Sequence, residues 1–521
     1  MHTHTHTHTH THTHTHRSHL LLQAGRPHDV VLLLGTFLRN CKDAELSEAV
    51  YFSEIRLVES FRLFVMNFVC GAGYELSCDE VFEAHKNWGD KIITRLASLR
   101  RSSWGAPRVA DRVLKIGYVS PDLLSTHAVA RFCDHCIAAH DRTRFQVYIY
   151  LNRLPGEGGK VGDGAEEEAR RRGDKVAYIF GIGTAEVVQQ VTTDEIDILV
   201  DLAGHSAGNR LDVFACTPAP VQATWCGYPN TTGLSTVQYR IADAVVDPLV
   251  TGARNATGTD AGRQLWSEEV YHLPRSFLCY DVAAFLLSPE TPPVAAVPSE
   301  ACGYVTFGSF NNLAKIHPRC FDLWVQVLHS VPDSRICLKA GLSFSSADIS
   351  EEWKLKFEAA GISRERVSLL PQAMFRSGEL STHLECYALV DIALDSSPYA
   401  GTTTTVDAAL MGVAVISLQT PDSAPAHVSN VCRGLNSALG LSDLVAASSS
   451  EFVALASKLA SDPTRLSMLR ETLRETFAAS ALGQQEQFHR EVDDMYSDMW
   501  HRHVAARCTA DPGTEGAKSL H

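Results

Sequence analysis

The segment VDIALDSSPYAGTTTTVDAALMGVAVISL, residues 390–418, decides the fold. Short, apolar, β-branched runs stand at its two ends, 390–396 and 413–418, and a helix-length stretch that begins with four threonines lies between them. Apolar runs joined by a helix are typical of parallel strands, which are buried on both faces of a sheet. The segment therefore predicts a strand–helix–strand unit of an α/β protein.

The same alternation of apolar runs and helix-length stretches occurs in two cycles along the chain. The first cycle contains LKIGYVS (114–120), FQVYIYL (145–151), VAYIFGI (176–182) and IDILVDLAG (196–204). The second cycle adds GYVTFGSF (303–310), RICLKAG (335–341) and RVSLLP (366–371) to the two runs described above. We therefore expect two doubly wound α/β lobes, with a ligand cleft between the carboxyl ends of their strands.

The segments outside the two cycles complete the predicted domain organisation. An alternating His/Thr tract at 2–16 has no apolar side chain to bury, so we expect it not to fold. Helical periodicity follows it, and a Pro-rich stretch without periodicity separates the two cycles. The predicted parts are a disordered tract (1–27), a helical N-terminal region (28–110), an N-terminal lobe (111–290), a linker (291–300), a C-terminal lobe with C-terminal helices (301–503) and a disordered tail (504–521).

The composition argues against several classes of protein. The chain has 46 Lys plus Arg against 60 Asp plus Glu, a net charge of −14, whereas a nucleic-acid binder needs a concentrated positive surface. No apolar run approaches the ~18 residues that span a bilayer. The 14 cysteines form no regular framework and nothing resembles a signal peptide, which favours a reducing compartment. We expect an intracellular protein without a nucleic-acid or membrane partner.

Two turns of the second cycle are candidates for binding phosphate. Helix N-termini bind anions, and Thr402, Thr403 and Thr404 add hydroxyl donors at a predicted helix start. The alternative is that these threonines only cap the helix. In FGSFNNLAKI (307–316), Lys315 could neutralise a diphosphate, or it could be a solvated loop lysine.

Two histidines follow strands of the first cycle. His127 lies after the first strand, and His205 lies at the end of an apolar run. Either histidine could carry a proton or donate a hydrogen bond in the cleft, and either could instead be a satisfied structural histidine. Both are candidate catalytic residues.

Two other motifs do not support a metal or nucleotide site of their own. The CDHC element at 133–136 has no second cysteine pair at zinc-binding spacing. The Gly-rich PGEGGKVGDG (155–164) lacks the spacing of a P-loop. We therefore expect neither a bound metal nor a cofactor.

Five motifs occur in order along most of the chain: GYVSPD (117–122), GHSAGNR (204–210), PAPVQATWCGYPNTTGLSTVQYRIAD (218–243), FGSFNNLAKI (307–316) and SPYAGTTTTVDAALMG (397–412). Together they resemble the catalytic region of the nucleocytoplasmic protein O-glycosyltransferases, the family of the O-GlcNAc transferases and the plant SPINDLY proteins. The resemblance covers about residues 76–502. It implies a GT-B fold, a nucleotide-sugar donor and metal-independent, inverting transfer to Ser or Thr hydroxyls of proteins in the cytoplasm or nucleus.

Within this family, the chain more closely resembles the SPINDLY-type members. The residues that favour them include FEAHKNWG (82–89), PNTTGL (229–234) and SFLCY (276–280). This resemblance implies O-fucose transfer from GDP-fucose. O-GlcNAc transfer from UDP-GlcNAc is the alternative, and a nucleotide-binding homologue without turnover is a third possibility.

The resemblance also implies roles for individual residues. Lys315 and the neighbouring Asn312 match positions at the donor diphosphate, and His127 matches the histidine at the reacting end. The remaining donor-site residues implied in this way are Thr402, Thr403 and Thr404 at the phosphates, Asp407 near the ribose, and His383 beside the nucleoside.

The chain departs from the family pattern at several points. It has one extra residue between Asp122 and His127, Thr217 where an arginine is usual, and Gln238 where an aspartate is usual. Members normally carry tetratricopeptide repeats upstream, and residues 17–100 show no 34-residue period. Either the sequence is truncated or target proteins are selected differently. The oligomeric state and the acceptor proteins cannot be deduced from these residues.

Overall fold

The computed structural model describes residues 2–42, 50–71, 73–104, 112–157, 159–248, 265–289, 291–371, 383–419 and 426–510. The chain divides into two compact units. The first unit comprises Phe82–Ala244, Arg263–Asp281 and Gln484–His521. The second unit comprises Met1–Val81, Val245–Gly262 and Val282–Gly483. Each unit is built on one parallel sheet.

The first unit contains a seven-stranded sheet. Its strands are β1 (Leu114–Ser120), β2 (Phe145–Leu151), β3 (Lys175–Tyr178), β4 (Ile198–Asp201), β5 (Val221–Thr224), β6 (Tyr239–Asp243) and β7 (Glu269–Leu273). They lie in the order β3-β2-β1-β4-β5-β6-β7, and every pairing is parallel. In the central strand, Tyr118 pairs with Ile149 on one side and Val200 on the other. Burial of both faces explains why this strand is apolar along its length.

The second unit contains a six-stranded sheet. Its strands are β8 (Thr306–Ser309), β9 (Arg335–Lys339), β10 (Val367–Leu370), β11 (Ile392–Leu394), β12 (Ala414–Leu418) and β13 (Val445–Ala446). Their order, β10-β9-β8-β11-β12-β13, is that of a Rossmann sheet. Phe307, Ile336 and Ile392 from the sheet pack in one core with Trp324 and Phe357 from the covering helices. The chain reverses direction across the sheet between β8 and β11, the position where ligands bind in such sheets.

Helices precede, connect and follow the strands. They are α1 (His2–Gln23), α2 (Pro27–Lys42), α3 (Arg56–Met66), α4 (Cys78–Arg95), α5 (Ala128–Ala139), α6 (Gly159–Arg171), α7 (Thr184–Thr193), α8 (Leu211–Ala215), α9 (Val282–Leu287), α10 (Pro298–Cys302), α11 (Pro318–Ser330), α12 (Ala347–Ala359), α13 (Thr403–Leu410), α14 (His427–Ala438), α15 (Ser449–Ala460), α16 (Pro463–Ala479) and α17 (Gln485–Ala510). Among the described helices, none is both long and apolar enough to cross a membrane.

The strand predictions are accurate where the strands are apolar throughout. The runs at 114–120 and 145–151 coincide with β1 and β2. The sequence did not indicate β5 or β6, because these short, buried strands contain polar residues, including Gln222 and Arg240, that interrupt the apolar pattern. The strand β7 was missed for a similar reason, since Glu269 and His272 lie in it.

The two ends of the chain differ from the predicted boundaries. Residues 2–23 form α1 instead of an unfolded tract. His14 contacts the ring of Phe37 at 4.8 Å and His19 stacks on Phe61 at 5.0 Å, so the tract has tertiary contacts that its composition did not suggest.

The predicted tail and linker also contain helix. The helix α17 continues to Ala510 and belongs to the first unit, not to the lobe at 301–503. It docks there because Asp493 bonds to buried His140, whose Nε2 lies 2.6 Å from the Tyr118 hydroxyl. The predicted linker 291–300 includes the start of α10 at Pro298. Residues 511–521 of the predicted tail lie outside the described residues.

Candidate functional site

A tight turn follows β11 in the second unit. The carboxylate of Asp395 accepts hydrogen bonds from the amides of Ser396 at 2.9 Å and Gly401 at 2.7 Å. Burial raises the pKa of the Asp395 carboxyl to about 7, although the Gly401 amide and the cation of Lys315 oppose this rise. One buried side chain thus holds both ends of the turn, which we call the 396–401 turn.

The helix α14 also supports the 396–401 turn. The amide of Ala400 donates to the carbonyl of Val428 at 3.0 Å, and the hydroxyl of Ser429 donates to the carbonyl of Pro398 at 2.7 Å. Backbone groups of the turn are therefore bonded on both sides of Tyr399. This bonding fixes the path of the chain into α13.

Lys315 lies against the 396–401 turn. Its Nζ donates to the carbonyl of Ala400 at 3.2 Å and stands 4.2 Å from the centroid of the Tyr399 ring. Burial lowers the pKa of the Lys315 ammonium to about 8, and the nearby carboxylate of Asp395 partly offsets this effect. The structure therefore brings Lys315 to the threonine-rich turn, in a position to neutralise an anion there.

The predicted threonines begin α13, but they differ from one another in what they contact. Thr402 is the N-cap residue and its side chain makes no capping hydrogen bond. The hydroxyl of Thr404 donates to Asn311 at 2.9 Å, and that of Thr405 donates to the carbonyl of Gly401 at 3.0 Å. Thr402 and Thr403 are half-buried at the amino end of α13, where the first amides and the helix dipole favour an anion. Thr404 instead connects the first turn of α13 to Asn311.

Asn312 fixes the backbone conformation just before Lys315. Its side-chain oxygen accepts the amide of Ala314 at 3.0 Å and caps a single 3-10 turn, Leu313–Lys315. The neighbouring Asn311, which was not predicted as a site residue, is the asparagine that accepts the hydroxyl of Thr404. The Asn-Asn pair was visible in the sequence, but its spacing could not show which side chain points inward.

A second group of side chains lies beside α13. His383 and Asp407 were both predicted here, and their Nε2 and Oδ2 atoms are 3.4 Å apart. The Nδ1 atom of His383 contacts Nζ of Lys339, and burial lowers the pKa of that lysine. The rings of Phe310 and Tyr387 pack with a centroid separation of 4.7 Å. An aromatic surface with a cation and a carboxylate is suited to a nucleoside.

A small cavity connects these two groups of residues. Its walls include Phe310 and Tyr387 from the aromatic surface and Asp395 and Thr404 from the turn. The hydroxyl of Tyr387 donates to the carbonyl of Thr404 at 2.9 Å. The candidate nucleoside and diphosphate positions are therefore adjacent within the second unit.

His127 lies after β1 in the first unit and is accessible. Its side chain is 54% exposed, its Nδ1 accepts the amide of Val129 at 3.3 Å, and Oδ2 of Asp122 is 3.6 Å away. With Nδ1 as the acceptor of this bond, a neutral ring would carry its proton on Nε2. Burial raises the pKa of Asp122, while His127 and Arg153 act against that rise.

The loop that carries the extra residue before His127 is well supported. The guanidinium of Arg153 donates to the carbonyls of Pro121 at 3.2 Å and Leu123 at 2.5 Å, and to Glu166 at 2.8 Å. Leu124 has a φ of 53°, which lets the loop turn back before α5. The insertion is therefore accommodated in an ordered loop.

His205 does not occupy the accessible position expected of a catalytic residue. It is 1% exposed, its Nε2 lies 2.9 Å from the carbonyl of Thr232, and its ring contacts Trp88 at 4.6 Å and His85 at 5.0 Å. These contacts join GHSAGNR to PNTTGL and to FEAHKNWG within the first unit. The structural interpretation of this histidine fits its surroundings better than a catalytic one.

Two contacts that the sequence did not indicate hold the PNTTGL segment in place. The carboxylate of buried Glu268 accepts the hydroxyl of Thr231 and the amide of Thr232, both at 2.7 Å. Gly233 has a φ of +77°, and a Cβ there would lie 2.1 Å from the carbonyl oxygen of His85. Only glycine allows this close approach.

The two substituted positions have structural partners. The hydroxyl of Thr217 donates to the carbonyl of Arg101 at 2.7 Å, and Oε1 of Gln238 accepts the amide of Gln222 at 2.7 Å. In the CDHC element, Cys133 and Cys136 are buried, and His135 bonds to His489 and to a backbone carbonyl. Across the described part of the chain, no group of three or more His, Cys, Asp or Glu side chains is arranged to hold a metal ion.

The two parallel sheets with their helices match the architecture of glycosyltransferases of the GT-B class. Residues 78–286 and 294–492 match glycosyl transferase family 41, and the chain belongs to this family.

Several relatives are proteins of plants. The chain is 38% identical over 442 residues to the "Probable UDP-N-acetylglucosamine--peptide N-acetylglucosaminyltransferase SPINDLY" of Solanum lycopersicum, covering 85% of this chain and 44% of that protein. It is 25% identical over 406 residues to the corresponding enzyme named SEC of Arabidopsis thaliana, covering 76% and 38%. The chain thus spans less than half the length of these curated relatives.

A solved structure shows the same fold. The chain is similar to a variant of the O-GlcNAc transferase of Thermobaculum terrenum, with 28% identity and a TM-score of 0.78, covering 95% of this chain and 85% of that one.

Proposed function

We propose that this protein transfers a sugar from a nucleotide-sugar donor to Ser or Thr hydroxyls of intracellular proteins. Family membership and the names of the relatives support this class of reaction. The observation that carries it is the position of Lys315, a half-buried cation 3.2 Å from the Ala400 carbonyl at the start of α13. A diphosphate leaving group requires positive charge at such a place.

In the proposed reaction, a Ser or Thr hydroxyl attacks the anomeric carbon on the face opposite the diphosphate, and the configuration inverts. The bond between the anomeric carbon and the diphosphate oxygen breaks, and negative charge accumulates on the leaving group. Lys315 and the amino end of α13, with Thr402 and Thr403, stabilise that charge. The cation is supplied by a side chain, so the mechanism we propose needs no metal ion.

The acceptor proton has two candidate destinations. His127 is accessible, but its Nδ1 accepts the Val129 amide, so the neutral ring offers a donor at Nε2. In this tautomer the histidine would hold the acceptor or the sugar by a hydrogen bond, and a phosphate oxygen would take the proton. For His127 to act as the base through Nε2, the ring must first adopt the other neutral tautomer, with its proton on Nδ1. His205 is buried and is not part of the mechanism we propose.

For the donor, we propose GDP-fucose. The SPINDLY-type motifs support this choice, as does the higher identity to SPINDLY, 38%, than to SEC, 25%. UDP-GlcNAc is the alternative, since the names of both plant relatives and of the bacterial structure refer to GlcNAc transfer. By the same family resemblance, we place the protein in the cytoplasm or nucleus.

The test is a donor panel on the purified chain. GDP-fucose and UDP-GlcNAc are each incubated with a mixture of Ser/Thr-containing peptides, and the added mass is measured by mass spectrometry. Addition of deoxyhexose with GDP-fucose alone supports O-fucose transfer, and addition of HexNAc assigns the alternative. Lys315→Met is the inactive control.

The same experiment tests a homologue that binds nucleotide without turnover. Binding of GDP or UDP, measured by calorimetry, combined with no added mass from either donor would contradict the proposed transfer activity. Thr217 and Gln238 motivate this possibility, although both have structural partners.

A further inference from the structure

Two cysteine thiols face each other at the start of α4. Sγ of Cys70 donates to Sγ of Cys78 at 3.7 Å, and both residues belong to the second unit. Cys70 is 2% exposed and Cys78 is half-buried. The amide of Gly71 donates to the carbonyl of Leu76 at 2.9 Å, which closes the chain between the two cysteines into a short loop, here called the 70–78 loop.

The two thiols have different chemical character. Cys78 is the first residue of α4, where the helix dipole stabilises a thiolate. The hydrogen bond from Cys70 lowers the pKa of the Cys78 thiol, while burial acts in the opposite direction. The same hydrogen bond and burial raise the pKa of the Cys70 thiol. Cys78 is therefore the nucleophile of the pair, and Cys70 is the thiol that can resolve an oxidised Cys78.

The 70–78 loop is bonded directly to the candidate donor site. The hydroxyl of Tyr74 lies 2.8 Å from the hydroxyl of Ser397, in the 396–401 turn. The carboxylate of Glu75 lies 2.9 Å from Nε2 of His317, two residues after Lys315. A change in the shape of this loop is thus transmitted to both parts of the diphosphate position.

We propose that Cys70 and Cys78 form a reversible disulfide site, and that the disulfide weakens binding of nucleoside diphosphate at the 396–401 turn. The existence of the site is independent of the proposed function, whereas its role in regulating transfer rests on that function. Disulfides in reducing compartments are commonly of this transient, redox-sensing kind.

The oxidation balances with a peroxide as oxidant. The Cys78 thiolate attacks one oxygen of hydrogen peroxide, the O–O bond breaks, and hydroxide leaves, which forms a sulfenic acid on Cys78. The sulfur of Cys70 then attacks that of Cys78, and the hydroxyl group leaves with the thiol proton as water. The two thiols lose two electrons in total and the peroxide gains them. A dithiol reductant reverses the reaction by thiol–disulfide exchange.

Bond formation must move the loop. The two sulfur atoms approach from 3.7 Å to about 2.05 Å, so the ends of the 70–78 loop are drawn together. Tyr74 and Glu75 lie between those ends, and their bonds to Ser397 and His317 are altered. When the nucleotide binds only the conformation that has such a bond, the roughly 1 kcal/mol needed to restore it corresponds to about fivefold in affinity. We expect Kd for GDP and for UDP to rise by about that factor on oxidation.

Peptide mapping tests the disulfide without any measurement of transfer. Residues 63–86 contain no Lys or Arg before Lys86, so one tryptic peptide carries both cysteines and no other. After peroxide treatment of the full chain, this peptide should lose two hydrogens in mass and take up no iodoacetamide, and dithiothreitol should reverse both changes. Cys78→Ser should abolish the change, and Cys302→Ser, which removes an exposed thiol elsewhere, should leave it intact.

A second close pair provides an internal comparison. Burial and the neighbouring thiol of Cys226 raise the pKa of Cys133 well above its usual value. Neither cysteine of this pair begins a helix. We therefore expect the peptide with Cys70 and Cys78 to oxidise first. The proposed site would be overturned if both thiols of this peptide could still be alkylated while other cysteines were oxidised.

Calorimetry with GDP and with UDP tests the coupling to the donor site. The expected result is about fivefold weaker binding after oxidation, with the reduced value restored by dithiothreitol and with no change in Cys78→Ser. Tyr74→Phe removes the bond to Ser397, so it should weaken binding in the reduced protein and leave a smaller further effect of oxidation. A mapped disulfide with unchanged Kd for both nucleotides would overturn the coupling, whatever the outcome of the donor panel.

Discussion

Replacing Lys315 with methionine is the most direct test of the donor site. Methionine follows a similar path without the charge, so the change removes the cation and keeps much of the contact with the Tyr399 ring. One unit charge at about 4 Å from the diphosphate is worth roughly 4 kcal/mol at an effective dielectric constant of 20. Measured losses of one preorganised contact of this kind are about 10²- to 10³-fold. We therefore expect kcat/KM to fall by about 10²- to 10³-fold.

The assay is steady-state release of nucleoside diphosphate from the donor that the panel identifies, with a protein or peptide acceptor. The control is Lys458→Met, which removes an exposed lysine on α15 and should leave kcat/KM unchanged. Thermal unfolding of both variants verifies that each is folded. A folded Lys315→Met enzyme with kcat/KM within threefold of the parent would refute the assigned role.

The pH dependence of donor binding gives a second measurement on the same residue. The pKa of Lys315 is lowered by burial to about 8, so the ammonium is present below pH 8 and is lost as the pH rises through that value. Affinity for the donor should therefore fall as the pH rises, most steeply above about pH 8, where the ammonium is lost. Lys315→Arg retains its charge throughout this range and should remove this steep part of the fall.

The remaining predictions concern the turn and its supports. Asp395→Asn keeps an acceptor for the Gly401 amide but removes the charge that raises the pKa of Lys315. The fall in donor affinity should therefore begin at a lower pH. An unchanged pH dependence of donor affinity would contradict the interaction between Asp395 and Lys315. Tyr387→Phe removes a buried donor and should cost about 1 kcal/mol in chemical denaturation. Gly233→Ala should lower the free energy of unfolding by at least about 3 kcal/mol, because its Cβ would meet backbone atoms. Gly156→Ala, also at positive φ but with open space around it, should lower the free energy of unfolding by about 1 kcal/mol. Similar losses in the two glycine variants would show that backbone strain, not the close approach, decides the difference.

Apolar periodicity was sufficient for strands that are apolar throughout and insufficient for buried strands that contain polar residues. β1 and β2 are buried on both faces, so their composition reports their structure directly. β5 and β6 are equally buried, but they contain Gln222 and Arg240, whose side chains donate to the carbonyls of Thr236 and Asn230. The helix α1 was predicted wrongly as disordered because its contacts with Phe37 and Phe61 come from other helices.

The candidate site was predictable where one short motif supplies several of its groups. The strand, the turn and the threonines of residues 390–418 are continuous in sequence, and Lys315 stands out as a lysine after an apolar strand. Asn311, Lys339 and Glu268 were not predicted, since their importance arises from contacts with segments distant in the chain. His205 shows the reverse case: a histidine at the end of a strand was expected in a cleft, and the packing of Trp88 buries it.

The pairing of Asp395 with Lys315 links occupancy of the site to proton uptake. The carboxyl titrates near pH 7 and the ammonium near pH 8, so at neutral pH each group exists partly in both protonation states. A bound diphosphate favours the protonated form of both groups, because each protonation makes the surroundings of the anion more positive. Nucleotide binding between pH 7 and 8 therefore takes protons from the buffer, and departure of the product returns them. The pH of the solution therefore affects how readily a new donor replaces the product at this site.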